Sequence, residues 1–194
     1  MAYEACRQAS TAVAEGSVGA GAGATVGKVL GIASAMKGGV GTWSLTLPGG
    51  IVVGALAVVN AFGDVLDDRT GQILAGARDP GGGFLNTART VQVAGVPPGT
   101  GIGESTTLVV VATNAHLTKE EANWLARLAH DGLARVIAPV HTLYDGDTVF
   151  ALSLGDRRGP LLAVGAAAVD AVAEAVKRGV RLARSAGGVP GLGG

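Results

Sequence analysis

A chain of 194 residues is long enough for one domain with a substantial buried core. Apolar residues make up 48% and charged residues 15%; 15 basic side chains balance 15 acidic ones, and their scatter argues against a basic nucleic-acid-binding patch. Glycine fills 33 of the 194 positions without a three-residue period, which excludes collagen and points to tight turns and close backbone contacts.

Residues 1–14, rich in Ala, Glu, Arg and Gln, predict a helix. Glu4 and Arg7 interrupt any apolar core there, so the segment is not a signal peptide. The lone Cys6 allows no intramolecular disulfide, which fits a reducing compartment such as the cytoplasm. Residues 15–27 read as a Gly-rich loop, and 28–36 and 41–47 as strands joined by a Gly38-Gly39 turn. Pro48-Gly49 marks the turn into a third strand, 50–62. Its apolar run is shorter than the ~18 residues of a membrane span and contains Asn60, so it reads as a buried strand. Residues 63–104, dominated by Asp, Gly, Pro, Thr and Arg, read as a long surface excursion, mobile around 76–104.

The β-branched run 106–114 predicts the central strand. Thr118 and Glu121 form a capping box that opens a helix, with Leu125, Ala129, Leu133 and Val136 at helical spacing. A turn at Asp145-Gly146-Asp147 leads to a strand over 148–154. A long Ala/Val helix over 161–185 ends in basic residues, and 187–194 reads as a frayed tail. No internal repeat and no linker divides the chain, so one structural domain is expected.

Three hydroxyl residues, Ser105, Thr106 and Thr107, stand at the mouth of the central strand. A chain cut before Thr106 would place a free amine and a hydroxyl on one residue, base beside nucleophile. Ser105 and Thr107 compete for that role. Lys28 reads either as a surface lysine or as a partly buried one that lowers a neighbour's pKa or holds an oxyanion. Asn60 either caps a strand end or orients a reacting group; buried and unpaired it would cost about 1–3 kcal/mol. Asp145 and Asp147 read as a surface turn or as a carboxylate pair on one side of an extended segment.

Other chemistries fit poorly. A phosphate-binding loop ending at Gly27-Lys28 would need Gly at Ala22 and Ser or Thr at Val29. The dinucleotide fingerprint fails at Ala24 and at Val26. His116, His130 and His141 share no metal-ligand spacing; a Ser-His-Asp triad stays open, although the Gly-x-Ser-x-Gly elbow is missing.

Five ordered segments carry a family resemblance: 18–28, 37–42, 58–65, 105–115 and 141–153, the last reading His-Thr-Leu-Tyr-Asp-Gly-Asp-Thr-Val-Phe-Ala-Leu-Ser. Together they resemble the L-aminopeptidase/D-esterase family, which includes β-peptidyl aminopeptidases and the nylon-oligomer endo-hydrolase. The resemblance implies an α+β fold, an αββα sandwich of the N-terminal-nucleophile kind. It implies a precursor that cuts itself, with residues 1–105 as the C-terminal part of the large subunit and 106–194 as the small subunit. Thr106 matches the nucleophile, Lys28 and Asn60 match groups that contact it, and Asp145 and Asp147 match the pair that orients it. It implies hydrolysis of an amide or ester in a peptide or small amide, assembly as a homo-oligomer of cleaved pairs, and no metal, organic cofactor, nucleic acid or membrane.

Two departures shape the expectation. The family commonly has Asn or Gly before the cut, where this chain has Ser105. Family members also carry a long stretch before the segment that begins here at Met1, so the chain is expected to be a fragment, a sequence with a misplaced start or a shortened homologue. Such a sandwich would be incomplete at its N-terminus, with exposed strand edges and apolar surface. The alternatives are an acyltransferase of the ornithine acetyltransferase type and a non-catalytic remnant that serves only in assembly.

Overall fold

A computed structural model describes residues 2–97 and 105–194. In chain order its elements are α1 (Ala2–Arg7), β1 (Thr25–Val26), β2 (Met36–Lys37), β3 (Gly39–Leu47), β4 (Ile51–Val59), β5 (Asp64–Leu66), β6 (Ile73–Ala75), α2 (Thr87–Ala94), β7 (Leu108–Ala115), α3 (Lys119–Val136), β8 (Ile137–Ala138), β9 (Thr148–Arg157) and α4 (Leu161–Arg181). The main sheet runs β3-β4-β7-β9. β4 is antiparallel to β3 and to β7, whereas β7 and β9 run parallel. The α3 connection between β7 and β9 is the helical crossover that a parallel pair requires.

Strand alternation decides the core. Val53, Ala55, Ala57 and Val59 of β4, Val109 and Val111 of β7, and Val149 of β9 are buried together with Leu125, Leu133, Ala168, Val172 and Val176 of the two long helices. Each large aliphatic side chain removed from water there contributes about 1.5–3 kcal/mol. The α3 start is as expected: the Thr118 hydroxyl accepts from the Glu121 N–H, and the Glu121 carboxylate accepts from the Thr118 N–H.

Glycine sets how closely α4 approaches β3. A Cβ on Gly41 would lie 2.0 Å from the Ala175 carbonyl oxygen and 2.4 Å from the Gly179 nitrogen, both main-chain atoms that have little freedom to move. Gly41→Ala is therefore expected to destabilise the protein by about 1–3 kcal/mol through overpacking. A thermal melt checks this; an unchanged Tm would show that helix and strand separate freely.

The opposite sheet face is apolar too. Val52, Leu108, Phe150, Leu152 and Leu154 are exposed. One sheet covered by one helix layer is half of an αββα sandwich, and the exposed face is the one on which a second sheet packs in that architecture. Among the described residues, no helix is long and apolar enough to cross a membrane.

Four expectations need correction. The first helix is short, ending at Arg7. Residues 28–35 are successive turns, not a strand: Gly31 N–H reaches Lys28 O, Ser34 N–H reaches Gly31 O, and Gly27 and Gly31 adopt positive φ. The segment after Phe62 is largely ordered structure. β5 pairs with β6 and β8, and α2 follows. Its organiser is Asp64, 1% exposed, whose carboxylate accepts from Ala77 N, Thr87 N and Thr87 Oγ1. The part of the expected mobile loop at 98–104 lies outside the described residues. The tail is tied down: Lys37 N–H donates to Pro190 O, and Gly193 N–H to Ala183 O.

A charged network closes the far side of α4. Lys177, 3% exposed at its side chain, lies 2.6 Å from Asp68 and 2.8 Å from Glu174. Arg135 joins it, 2.7 Å from Asp68 and 2.5 Å from Asp170.

Candidate active site

The ladder registers locate Thr106. β4 and β7 pair Val58 with Leu108, so extending that antiparallel ladder by two residues sets Asn60 opposite Thr106. β7 and β9 pair Leu108 with Thr148 in parallel, which by the same count sets Gly146 beside Thr106. The hydrogen bonds agree. Thr106 N–H donates to Asn60 O at 2.7 Å, and Gly146 N–H donates to Ser105 O at 2.9 Å. The ladder thus continues past the strand end, and its last rungs grip the Ser105–Thr106 peptide from both sides.

The Thr106 hydroxyl donates to the Ser105 carbonyl oxygen at 2.6 Å. That oxygen therefore receives two donors, the neighbouring hydroxyl and the Gly146 amide. Thr106 is half-buried, whereas Ser105 and Thr107 are buried, at 2% and 0% exposure. Thr107 Oγ1 has no hydrogen-bond partner among the described residues. Glycine at 146 has a steric reason: a Cβ there would lie 2.8 Å from Thr106 Oγ1.

Lys28 is 8% exposed, which removes the surface-lysine reading. Its Nζ donates to Asn60 Oδ1 at 2.8 Å and reaches Asn60 O at 3.5 Å. The same Oδ1 accepts from Thr25 N at 3.1 Å. Asn60 is thus the junction between the lysine and the Thr106 amide. A buried ammonium is held by oxygens there, and its charge lies next to the backbone that carries the hydroxyl.

The two aspartates grip backbone around Thr106. Asp147 Oδ1 accepts from Thr107 N at 2.8 Å. Asp145 Oδ1 accepts from Phe62 N at 3.0 Å, and its Oδ2 takes Thr142 Oγ1 at 2.5 Å and Thr142 N at 3.1 Å. Each carboxylate ties the Asp-Gly-Asp turn to a strand end, Asp145 just beyond β4 and Asp147 just before β7.

All five residues singled out in the sequence, Lys28, Asn60, Thr106, Asp145 and Asp147, therefore meet in one hydrogen-bonded cluster. Gly146 was absent from that reading, although the invitation to look was its place between the two aspartates. His141, which the sequence offers only as a poor metal ligand or a member of an open Ser-His-Asp triad, also borders the cluster. Its Nδ1 lies 2.8 Å from Asp147 Oδ2, a contact between residues six apart in a loop, where no periodic pattern announces it.

A Peptidase family S58 profile matches residues 1–192. The chain belongs to peptidase family S58. An uncharacterized aminopeptidase of Mycobacterium tuberculosis is 42% identical over 210 residues, covering 97% of this S58 chain and 58% of the relative. The 6-aminohexanoate-oligomer endohydrolase of Paenarthrobacter ureafaciens is 31% identical over 175 residues, covering 84% of this chain and 48% of that enzyme. The S58 chain thus spans about half the length of the curated relatives it matches. Among solved structures, the L-aminopeptidase D-Ala-esterase/amidase of Ochrobactrum anthropi, described as a variant of the Ntn hydrolase fold, superposes with a TM-score of 0.63 at 25% identity. The match covers 94% of this S58 chain and 48% of that one.

Proposed function

We propose that this chain is part of an amidohydrolase that generates its own nucleophile at Thr106. The observation that carries the reading is the Ser105 carbonyl, which faces the Thr106 hydroxyl at 2.6 Å and the Gly146 amide at 2.9 Å. With a C=O bond of ~1.23 Å, the carbonyl carbon is within side-chain reach of the same hydroxyl. In the first step Thr106 Oγ bonds to that carbon. The Gly146 N–H receives the developing oxyanion, the C–N bond breaks, and the hydroxyl proton ends on the freed amine. Water then cleaves the resulting ester and releases Ser105 as a carboxylate.

In the mature form the Thr106 amine is the general base for its own hydroxyl. An α-amine titrates near ~7.7–8.0, so a fraction of it is in the free-base form near neutral pH. The Asn60 carbonyl, which now takes the Thr106 N–H, would hold one amine hydrogen and leave the lone pair for Oγ. Lys28, tied to Asn60, adds positive charge where negative charge develops. Hydroxyl attack on a peptide or small amide gives an acyl-enzyme that water resolves. The names of the relatives, an aminopeptidase and an oligoamide hydrolase, support an amide substrate. The reading extends to a reducing, cytoplasmic setting and to assembly of cleaved pairs in a homo-oligomer.

Mass spectrometry of the purified chain under denaturing conditions tests this. Pieces corresponding to residues 1–105 and 106–194 are expected; an unbroken 19.0 kDa chain through prolonged incubation would favour a non-catalytic role. Gly146→Ala is expected to slow scission at least about tenfold, because the new methyl displaces the hydroxyl that must attack. An unchanged time course in that variant would remove Gly146 from the scheme. Acyl transfer to an amino acid in preference to water would identify an acyltransferase instead.

A further inference from the structure

We propose that His141, backed by His130, is a positioning residue that holds the Asp147 carboxylate against the strand start carrying Thr106. The inference rests on the Thr106 reading for its catalytic consequence but not for its geometry. The Asp147 side chain is only 3% exposed. A carboxylate so enclosed needs donors for both oxygens. It has them: Thr107 N–H on Oδ1 at 2.8 Å and His141 Nδ1 on Oδ2 at 2.8 Å. Because a carboxylate only accepts, the proton of that second contact sits on Nδ1 of His141. Thr107 is the residue after Thr106, so whatever fixes Asp147 fixes the main chain that follows the proposed nucleophile.

The backbone of His141 shows that its place is imposed. Its φ is 52°, the left-handed region that a non-glycine residue rarely enters, His less rarely than most. The ring then meets His130 of α3, with His130 Nδ1 at 3.3 Å from His141 Nε2 and the rings edge to face at 4.9 Å. With Nδ1–H committed to Asp147, Nε2 of a neutral His141 accepts the Nδ1–H of His130. A protonated His141 donates from Nε2 to a neutral His130 instead. Both arrangements satisfy the two facing nitrogens; the first tolerates either form of His130, the second needs its Nδ1 unprotonated. Burial pushes the His130 pKa below its ordinary value, as does a charge on His141, while Asp147 and Asp131 act the other way. Arg127 of α3 and Asp145 of the turn line one open cavity with His130, His141 and Asp147, and are the other charged groups that face it. Charging both imidazoles would set N–H against N–H and break the chain of bonds from α3 to Thr107.

The purified chain provides readouts that do not depend on activity. Imidazole nitrogen NMR is expected to show neutral His141 protonated on Nδ1 and not on Nε2. In His141→Asn, a substitution that tolerates left-handed backbone, the Thr107 amide is expected to exchange with solvent at least about tenfold faster while α4 amides stay protected. Scission is expected to slow at least about tenfold, and the fall in its rate expected toward acid pH, where both imidazoles of the wild type charge, should disappear. In His130→Gln, whose side-chain amide can accept from a charged His141, that fall should also disappear. An Nε2-protonated His141 overturns the proposal, and so does unchanged Thr107 exchange in His141→Asn. An uncut wild-type chain with the Nδ1 form and the exchange response would overturn the nucleophile reading alone. A cut wild type whose His141→Asn variant cuts equally fast, with Thr107 exchange unchanged, would overturn the positioning role alone.

Discussion

Thr106→Ala is expected to leave the chain as a single polypeptide and to lower amide hydrolysis at least about a thousandfold, the scale seen when a catalytic nucleophile is removed. The substitution removes only the hydroxyl and the γ-methyl of a half-buried residue, so the fold should survive intact. Two further variants make the result specific. Thr106→Ser keeps the oxygen at the same ladder position and should still be cut. Thr107→Val keeps volume at a position whose hydroxyl already lacks a partner among the described residues, so it should be cut as well. Scission in Thr106→Ala at the wild-type rate would transfer the role to another group, with Ser105 the neighbour to test next. The contrast between Thr106 and Thr107 is informative because both hydroxyls sit within one residue of the same peptide. Only the former is aimed at the Ser105 carbonyl.

Asp68→Ala should produce the largest loss of stability, about 3–5 kcal/mol, the usual cost of breaking a buried ion pair from one side. It strips the 2.6 Å partner from Lys177, whose side chain is 3% exposed, and leaves Glu174 to hold the ammonium alone. Arg135 loses a partner at the same time and keeps Asp170. Denaturant unfolding measures the loss; a change below about 0.5 kcal/mol would mean that water already reaches Lys177. Combining Asp68→Leu with Lys177→Met is expected to recover most of it, since a desolvated pair is often replaceable by apolar packing. The same network makes the fold acid-sensitive. The Lys177 hydrogen bond, helped by Arg135 and opposed by burial, holds the Asp68 carboxyl below its ordinary 3.8. A depressed carboxyl contributes stability above 3.8 that is lost as pH falls through the folded-state value. Asp64 has the opposite sign: burial raises its carboxyl, so the folded state favours its protonated form and gains from acid. A Tm series from pH 6 downward should therefore fall less steeply in Asp68→Ala than in wild type.

The two long helices and all four main-sheet strands were legible because their periodicities are strong and their ends are punctuated. Thr118 with Glu121 announces α3, and Pro48-Gly49 separates β3 from β4. Lys28 to Ala35 misled because apolar residues in consecutive turns look like strand when only hydrophobicity is counted. Positive-φ glycines at 27 and 31 decide otherwise, and glycine's identity does not reveal the sign of φ. The stretch after Phe62 reads polar, yet one buried carboxylate at Asp64 satisfies three donors and orders it. That is a contact over 13 and 23 residues, invisible to a local window. The site itself divides in the same way. Thr106 and the aspartates stand out by type and place. Gly146 and His141 join the site through a backbone amide and a loop contact, and the register of β7 against β9 brings Gly146 to Thr106.

That same interleaving has a practical corollary. β4 lies between β3 and β7, and α4 from the distal half of the polypeptide packs on β3 and β4 from the proximal half. A nicked molecule would consequently travel as one particle through a sizing column, its two pieces laced by six rungs of ladder and a shared helix seat. Denaturant would part them, and regaining the native form would then be a second-order process that slows on dilution.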